Sequence, residues 1–350
     1  MDVQSFNIDI DTGQLKAFQT LTQTSTTYSS NTGGIVAASS AKVLYATDSN
    51  DDGIDAYSVA ADGTLTLVSG SPFMLNSNPS SAPADMTGLV LNPSGTALYV
   101  VNGIDDSILG FDISSTTGAL TPMPNSFPTG FLTWPQNAVI DPRGAFMYVT
   151  SWDTSLSGSQ SAVLGFAVDS TTGNLTAMAT PQFGLPTDSP NGIVLDPTGK
   201  FLYVTFETGN GIAGFVRDTT TGQLTPMAGS PFASGSSSNL QTSSIAMHPS
   251  GKFLYAFNFN GSTITAFSID SNTGVLSSVA GSPFAIQDGV GPIALDPSGA
   301  FLYALRGCDV TTCGYEMAVY QVDQSTGELK VAGYAAMPEE FVGLAAVKTQ

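Results

Sequence analysis

The sequence has few charged residues, and basic residues are the scarcest of these. Only 11% of the 350 residues are charged, nine are Lys or Arg, and the formal net charge is −19. Proteins that hold phosphate groups need clustered Lys and Arg side chains, whereas the basic residues here stand singly along the chain. We therefore expect no nucleic-acid partner and no attachment to a bare anionic membrane surface.

Long apolar runs and helical periodicity are also missing. No apolar stretch approaches the ~20 residues that cross a bilayer, so we predict no membrane span. Met1 is not followed by the basic and apolar regions of a signal peptide. The acidic, Lys-poor composition, rich in Ser, Thr and Gly, is typical of exported proteins. We therefore expect a secreted, periplasmic or cell-surface protein whose export signal has been removed upstream of Met1.

Cysteine is nearly absent, and its two copies, Cys308 and Cys313, are separated by four residues. We interpret them as a small disulfide that pins a loop in an oxidising compartment. The alternatives are free thiols or a metal pair, but a zinc site normally has four ligands and no His lies near these cysteines. We assign no metal ligand on the basis of a known zinc-binding motif.

What the sequence does contain is a repeat of roughly 50 residues, the kind of period that indicates an array of similar units. A Gly-x-Leu turn recurs at Gly13, Gly63, Gly118, Gly173, Gly222, Gly274 and Gly327. A second marker is a Pro-x-Gly turn followed by a strand that contains a tyrosine. These tyrosines are Tyr99, Tyr148, Tyr203, Tyr255 and Tyr303, and Tyr45 holds the same position after a degenerate turn.

Each repeat divides into four short strands, here called a to d. In one copy they are predicted at residues 192–195, 201–205, 212–216 and 224–227. The inner strands are apolar on both faces, as expected for sheets packed between two neighbours. Four-stranded units of this length are typical of propeller blades. We predict an all-β protein, one seven-bladed β-propeller of four-stranded blades spanning residues 1–350.

The two ends of the chain are predicted to share the first blade. Residues 3–8 and 15–20 match strands c and d, and residues 343–347 match strand a, whereas strand b is missing. Either the natural N-terminus was trimmed, or that blade has three strands, or a neighbouring molecule supplies a strand to the open edge. The last alternative predicts polymers formed by strand exchange, and a monomer is expected otherwise.

Several acidic residues and the single histidine fall in the repeated turns. Asp stands four residues before the turn glycine at Asp9, Asp169, Asp218, Asp270 and Asp323. A carboxylate at such a position accepts hydrogen bonds from the N–H groups of its own turn. His248 replaces the Asp that precedes the Pro-x-Gly turn in other repeats. We therefore interpret these residues as structural, and His248 as no general base.

The repeat motifs resemble those of the lactonase-family propellers with YVTN-type repeats, which include bacterial phosphogluconolactonase and carboxymuconate cyclase. The resemblance extends over nearly the whole chain. The motifs that show it most clearly lie at residues 195–205, 140–150 and 295–303. In the enzymatic members a His, Arg residues and a Glu near the channel mouth are thought to act on the lactone. This chain has no counterpart of that His. Of the residues that the resemblance implies, Arg306 and Glu207 are left as catalytic candidates.

Propeller ligands usually bind where the b–c loops and the d–a connections converge. The predicted ligand-binding residues at the ends of strand b are Asp48, Asn102 and Asn258, and those at the start of strand a are Gln136 and Asn191. This ring is polar and mostly uncharged. A lone Arg in it would hold a carboxylate or phosphate through a two-pronged contact, and Glu207 would activate water.

Two acidic pairs, Asp51-Asp52 and Asp105-Asp106, follow strand b in successive repeats. Such pairs suit a divalent cation, Ca²⁺ or Mg²⁺, but neither has the spacing of a known calcium loop, so exposed loop acids are the alternative. No cofactor is otherwise indicated.

Two functional hypotheses follow from the sequence. The first is an extracytoplasmic binding or scaffold module with a surface partner, favoured by the missing His and the low charge. The second is a lactone-ring hydrolase resembling phosphogluconolactonase, acting on a small-molecule lactone at the channel mouth, and family resemblance alone supports it.

Overall fold

Antiparallel strands account for the regular structure of the described residues. The computed structural model describes residues 3–21, 34–38, 42–48, 52–75, 86–130, 134–152, 161–186, 189–208, 211–235, 241–307 and 315–337. Within them, six sheets each follow the order a–b–c–d from the inside outward, and one further sheet has two strands. The prediction of an all-β propeller with four-stranded blades is confirmed for these six blades.

The first three blades are formed by strands β3 to β15. Blade 1 contains β3 (Ile35–Ala38), β4 (Val43–Asp48), β5 (Gly53–Val59), β6 (Leu65–Leu67) and β7 (Phe73–Met74). Blade 2 contains β8 (Met86–Leu91), β9 (Ala97–Asn102), β10 (Ser107–Ile113) and β11 (Leu120–Pro128). Blade 3 contains β12 (Pro135–Ile140), β13 (Phe146–Ser151), β14 (Ala162–Val168) and β15 (Leu175–Gly184).

The last three blades repeat the same arrangement. Blade 4 contains β16 (Pro190–Leu195), β17 (Phe201–Phe206), β18 (Gly211–Arg217), β19 (Leu224–Pro226) and β20 (Phe232–Ala233). Blade 5 contains β21 (Thr242–Met247), β22 (Phe253–Asn258), β23 (Thr263–Ile269), β24 (Leu276–Ser278) and β25 (Phe284–Ala285). Blade 6 contains β26 (Gly289–Leu295), β27 (Phe301–Gly307), β28 (Tyr315–Val322) and β29 (Leu329–Met337).

The outer strand is split in blades 1, 4 and 5, where a Gly-Ser-Pro-Phe segment interrupts it. The serine of each segment replaces a backbone acceptor and receives an N–H group of strand c. Ser71 Oγ accepts from Ala56 N at 3.1 Å, Ser230 Oγ from Gly214 N at 3.0 Å and Ser282 Oγ from Ala266 N at 2.9 Å. The motif therefore bends the outer edge of a blade without leaving the neighbouring strand unpaired.

The seventh place in the ring is occupied by the N-terminal hairpin, which consists of β1 (Val3–Ile8) and β2 (Leu15–Leu21). Phe6, Ile8 and Leu15 pack against the core of blade 6. On the other side, Gln19 exchanges two hydrogen bonds with the backbone of Leu65 in blade 1, at 2.8 and 3.0 Å. The hairpin thus bridges the last complete blade and the first.

The prediction of seven blades is therefore confirmed in part, because the described residues form six complete blades and a two-stranded seventh sheet. The predicted strands c and d of the shared blade are confirmed as β1 and β2. Its predicted strand a, residues 343–347, lies outside the described residues. Strand exchange at the inner edge of β1 stays a prediction.

The apolar core consists of layers between neighbouring blades. For example, Tyr255, Phe257 and Leu302 belong to the layer that joins blades 5 and 6. Both faces of each inner blade are buried, because each sheet packs against two others. This explains the almost continuous apolar sequence of strand b in Phe201–Phe206, where every residue is buried.

A single buried tyrosine in strand b links each complete blade to the next sheet in the ring. Its hydroxyl donates to the carbonyl oxygen of the glycine in the c–d turn of that next sheet. The pairs are Tyr45–Gly118 at 2.8 Å, Tyr99–Gly173, Tyr148–Gly222 and Tyr203–Gly274 at 2.6 Å, Tyr255–Gly327 at 3.0 Å and Tyr303–Gly13 at 3.1 Å. The two sequence markers of the repeat are therefore the two partners of one hydrogen bond.

The turn glycine is required at this contact for two reasons, which Gly274 illustrates. Its φ of 76° lies in the left-handed region that disfavours a side chain. A Cβ atom there would also lie 2.5 Å from the ring of Phe201 in the preceding blade. The blades can approach closely enough for the tyrosine bond only where the turn has no side chain.

The aspartates of the repeated turns have the structural role predicted for them. Asp218 Oδ1 accepts the N–H groups of Thr220 and Thr221 at 2.8 and 2.9 Å. Such bonds stabilise the charged carboxylate and lower its pKa. At the other turn, Asp196 Oδ1 accepts from Lys200 N and Phe201 N, both at 2.7 Å.

Loss of one tyrosine hydroxyl should measurably weaken the ring. Tyr255→Phe leaves the buried carbonyl of Gly327 without its donor, so we expect the free energy of unfolding to fall by about 1–3 kcal/mol in denaturant titration. Tyr334→Phe is the matched control, because the Tyr334 side chain is exposed. Equal stability of the two variants would contradict a role for the inter-blade bond.

The same tyrosines predict a sharp loss of stability at alkaline pH. Burial raises the pKa of Tyr45, Tyr99 and Tyr148 from 10.0 to about 12. A raised folded-state pKa means that stability is complete below the unfolded-state pKa and is lost as pH rises toward the folded-state value. We expect cooperative unfolding between these pH values, followed by circular dichroism together with tyrosinate absorbance. Ionisation of these tyrosines near pH 10 in a protein that stays folded would contradict it.

Candidate functional site at the mouth end

The two ends of the propeller differ in how their loops are built. The a–b and c–d turns form one end, called here the turn end, and are short and repeated. The b–c loops and d–a connections form the other, called the mouth end. At the mouth end the pairing of strands a and b shifts register in five blades, as between Pro190 and Ile193. Such bulges are common at barrel rims and next to binding sites, where they redirect side chains.

Buried threonine hydroxyls in strand b satisfy the backbone that these bulges release. Thr150 Oγ1 accepts from Asn137 N and Thr205 Oγ1 accepts from Gly192 N, both at 3.0 Å. In strand a of blade 2, Thr87 Oγ1 donates to the carbonyl of Pro135 in the next blade at 3.0 Å. Sequence reasoning assigned no role to Thr150 or Thr205, although their shared position two residues after the marker tyrosine was visible.

Glu207 and Asn191 are brought together. Asn191 Nδ2 donates to Glu207 Oε1 at 2.7 Å, and the Glu207 side chain is exposed. The backbone supports the pair, because Glu207 N donates to the carbonyl of Ser189 at 2.9 Å. The neighbouring Ser189 has a left-handed φ of 57° just before strand a begins. The amide therefore fixes the orientation of a solvent-accessible carboxylate in blade 4.

Arg306 is engaged elsewhere. Its Nε and Nη2 atoms both donate to Glu316 Oε2, at 2.9 and 2.6 Å, and its guanidinium lies 4.4 Å from the centroid of the Tyr334 ring. Arg306 and Glu316 are direct partners in the register of β27 and β28. This contact directs the side chain outward across blade 6. Arg306 and Glu207 lie two blades apart, and no hydrogen bond joins them.

Asn258 and Asn102 are buried and serve the fold. Asn258 is fully buried and donates to Ser234 O at 3.2 Å and Thr265 Oγ1 at 2.9 Å, while Thr242 Oγ1 donates to its Oδ1 at 3.0 Å. Asn102 is also fully buried, and its Nδ2 donates to Asp105 Oδ2 at 2.9 Å. Both amides are committed to protein partners, so their predicted role as ligand contacts gains no support from these bonds.

The other two predicted ligand residues lie apart from each other. Gln136 is partly exposed at the start of strand a in blade 3, and its Nε2 donates weakly to Trp134 O at 3.4 Å. Asp48 ends β4 in blade 1, where its backbone pairs with Gly53. The side chain of Asp48 lies outside the described residues. Of the predicted ring, the structure joins only Asn191 and Glu207 by a hydrogen bond within the part it describes.

Exposed aromatic residues flank that pair, and sequence reasoning missed them. Trp152, Glu207 and Phe259 each follow strand b and donate a backbone N–H to the residue before strand a, in blades 3, 4 and 5. Trp134 holds that preceding position in blade 3. The three aromatic side chains are 39–44% exposed. The sequence did offer a signal for this surface, because both tryptophans of the chain lie outside the predicted strands.

The backbone at Trp134 is held in an unusual conformation. Its φ is 34°, in the left-handed region that a bulky residue rarely adopts. Asp106 Oδ1 accepts the Trp134 N–H at 2.9 Å, and the Trp134 carbonyl accepts from Trp152 N at 3.3 Å. Conformations of this kind cost about 1–3 kcal/mol and concentrate at functional sites.

The remaining predicted features have simple outcomes. Asp105 and Asp106 bond to neighbouring protein groups, as described above, and no group of three or more His, Cys, Asp or Glu side chains suited to a metal lies among the described residues. Asp51, Cys308 and Cys313 lie outside them, so the calcium site and the disulfide stay predictions.

His248 is buried in a turn, as predicted. Its Nε2 lies 3.1 Å from the carbonyl of Gly299 in the next blade, and its Nδ1 lies 2.7 Å from Ser250 Oγ. Burial lowers the pKa of the imidazole. The histidine therefore connects two blades at the turn end, whereas the Asn191–Glu207 pair lies at the mouth end.

Comparison with known proteins gives a consistent family assignment. The family model for Lactonase, 7-bladed beta-propeller matches residues 1–135, 88–237 and 162–342, which together span most of the chain. The curated protein sequences give no match. No helix of the described part of the chain is long and apolar enough to cross a membrane.

Solved structures resemble the whole chain at low sequence identity. A putative 6-phosphogluconolactonase from Bacteroides fragilis has 20% identity and a TM-score of 0.73, covering 99% of this chain and 93% of its own. A protein from Lactobacillus plantarum has 18% identity and a TM-score of 0.73, with coverage of 97% and 93%. The periplasmic gluconolactonase PpgL from Pseudomonas aeruginosa has 17% identity and a TM-score of 0.70, with coverage of 95% and 92%. At these identities the likeness establishes the shared propeller fold.

The two predicted asparagines should respond differently to truncation. Asn258→Ala removes four hydrogen bonds from a buried network, so we expect the free energy of unfolding to fall by at least about 1–3 kcal/mol. Asn191→Ala is expected to change it by less than about 0.5 kcal/mol, since the residue is partly exposed and its side chain bonds to the exposed Glu207. Urea titration measures both, and comparable losses would show that Asn191 also belongs to the structural framework.

Proposed function

The chain belongs to the lactonase family of seven-bladed β-propellers, and we propose that it hydrolyses lactones at its mouth end with Glu207 as the general base. The main observation behind this proposal is the 2.7 Å hydrogen bond that orients the exposed Glu207 carboxylate toward Asn191. A carboxylate that is both positioned and accessible to water is the minimum that general-base hydrolysis requires.

The proposed reaction needs one water molecule and one proton carrier. The water oxygen attacks the lactone carbonyl carbon while Glu207 accepts the proton that the water loses. The ring C–O bond then breaks, and the proton passes from Glu207 to the departing ring oxygen. The product is an open-chain hydroxy acid, and Glu207 returns to its charged form. The step consumes no oxidant, reductant or second substrate.

Asn191 is proposed as a positioning residue for this base. Its amide group has two N–H donors, and one of them holds Glu207. A second amide N–H is of the donor type that stabilises negative charge developing on a carbonyl oxygen. This arrangement supports hydrolysis without a histidine, which agrees with the burial of His248 at the turn end.

Glu316 holds Arg306, whose guanidinium must leave that carboxylate before it can contact a ligand. This observation favours a second candidate function, a propeller that binds its ligand without turnover. In either case we propose an extracytoplasmic location, in keeping with the Lys-poor, Ser- and Thr-rich composition. The structural neighbour from Pseudomonas aeruginosa is itself described as periplasmic.

Assays on a panel of sugar and acyl lactones test the proposal. Glu207→Gln keeps the size and the hydrogen-bonding shape of the side chain but cannot accept the proton, so we expect kcat/KM to fall about 10²–10⁴-fold. Glu328→Gln is the matched control, because Glu328 is exposed at the turn end, and it should leave the rate unchanged.

Two further results separate the alternatives. An unchanged rate in Glu207→Gln, with a loss in Arg306→Ala, would move the catalytic role to Arg306. Failure of the wild-type protein to hydrolyse any lactone, with or without Mg²⁺ or Ca²⁺, would favour the binding function instead.

A further inference from the structure

The basic residues of the chain are distributed unevenly between the two ends of the propeller. Seven of the nine lie at the turn end. Four are in a–b turns, Lys42, Arg143, Lys200 and Lys252, and three flank c–d turns, Lys16, Arg217 and Lys330. Lys348 lies outside the described residues. Arg306 is therefore the one basic residue that the described structure places at the mouth end.

The charge of Arg306 is already balanced. Both of its donating nitrogens bind the same oxygen of Glu316, at 2.9 and 2.6 Å, and only 13% of its side chain is exposed. A bidentate pair with this degree of burial is costly to separate, because the freed carboxylate would stay partly desolvated. A ligand anion would have to displace Glu316 to reach it.

Acidic side chains dominate the rest of the mouth end. Asp105, Glu207 and Asp288 are exposed there, and Asp106 is partly exposed. In the sequence, the segments between strands b and c and those between strand d and the next strand a contain no Lys or Arg. A phosphate group carries about −1.5 to −2 charges at neutral pH and normally needs a cationic partner. Phosphorylated or carboxylated ligands would therefore meet uncompensated repulsion at this end.

The aromatic residues supply a different kind of contact. Trp134 and Trp152 in blade 3 and Phe259 in blade 5 are exposed on either side of blade 4, which holds the Asn191–Glu207 pair. Rigid aromatic rings bury large areas while losing little conformational entropy. The C–H face of a sugar ring stacks on such a surface, and its hydroxyl groups bond to amide and carboxylate side chains such as Asn191 and Glu207. Interspersed polar residues distinguish this surface from the continuous apolar patch of a protein interface.

We infer that the mouth end selects an electrically neutral sugar lactone, one with no phosphate or carboxylate group, and that Trp134, Trp152 and Phe259 bind its ring. Only one part of this inference, that the ligand is a lactone, rests on the proposed function. The selection of a neutral sugar follows from the charges and the aromatic side chains, whether or not turnover occurs.

Binding is tested with a lactam analogue of gluconolactone, which keeps the neutral ring but resists hydrolysis. Both tryptophans of the chain lie at the mouth end, so intrinsic fluorescence reports directly on this site. We expect the neutral lactam to change the fluorescence saturably, and its phosphate ester to bind at least about tenfold more weakly at low salt. Added salt should narrow the difference, because it screens the repulsion.

Variants identify the residues responsible. Trp152→Leu should weaken lactam binding at least about fivefold, measured by calorimetry because one fluorophore is lost. Leu67→Ala, which truncates an exposed apolar residue of an outer strand, should leave the affinity unchanged. Binding unaffected by Trp152→Leu would contradict the assignment of the aromatic surface.

The outcomes separate this inference from the proposed hydrolysis. Saturable lactam binding without turnover of any lactone supports the inference and rejects hydrolysis. Tighter binding of the phosphate ester, or no binding of either compound, overturns the inference. Turnover of both gluconolactone and its phosphate ester with similar kcat/KM supports hydrolysis and overturns the inference.

Discussion

The fold depends on one repeated hydrogen bond between neighbouring sheets. A buried tyrosine hydroxyl in strand b of each complete blade donates to the turn glycine of the next sheet, at 2.6–3.1 Å. The bond sets the distance between sheets, and that distance excludes any side chain at the glycine. The last of these bonds, from Tyr303 to Gly13, joins blade 6 to the N-terminal hairpin, which contacts blade 1 through Gln19 and Leu65.

This constraint explains why the two ends of the molecule differ. The turn end holds the glycines that accept the tyrosine bonds, and its short turns, with their capping aspartates, repeat from blade to blade. The mouth end is free of that repetition, so Trp152, Glu207 and Phe259 can differ at equivalent positions. The differences between blades therefore concentrate at the mouth end, where we propose that the ligand binds.

Much of the fold was predictable from the sequence, because the repeated tyrosine and the repeated turn glycine are the two partners of the hydrogen bond between neighbouring sheets. Strands in blade 4 were predicted to within two residues, and β1 and β2 were placed correctly. The site was less predictable. Asn102 and Asn258 end strand b and Asn191 begins strand a, and all three were predicted as ligand contacts, yet of these three only Asn191 is partly exposed. Whether an amide bonds to protein or faces solvent depends on neighbouring hydroxyl groups such as that of Thr265, which belongs to none of the repeat motifs. The Arg306–Glu316 pair similarly required the register of β27 against β28.

The separation of a structural turn end from a ligand-binding mouth end is tested most directly by hydrogen–deuterium exchange with and without the neutral lactam. The structure predicts slower exchange at the start of the inner strands and just after strand b in blades 3 to 5, with the c–d turns unchanged. Protection confined to the turns around Gly222 and Gly274, with none near Glu207, would contradict it.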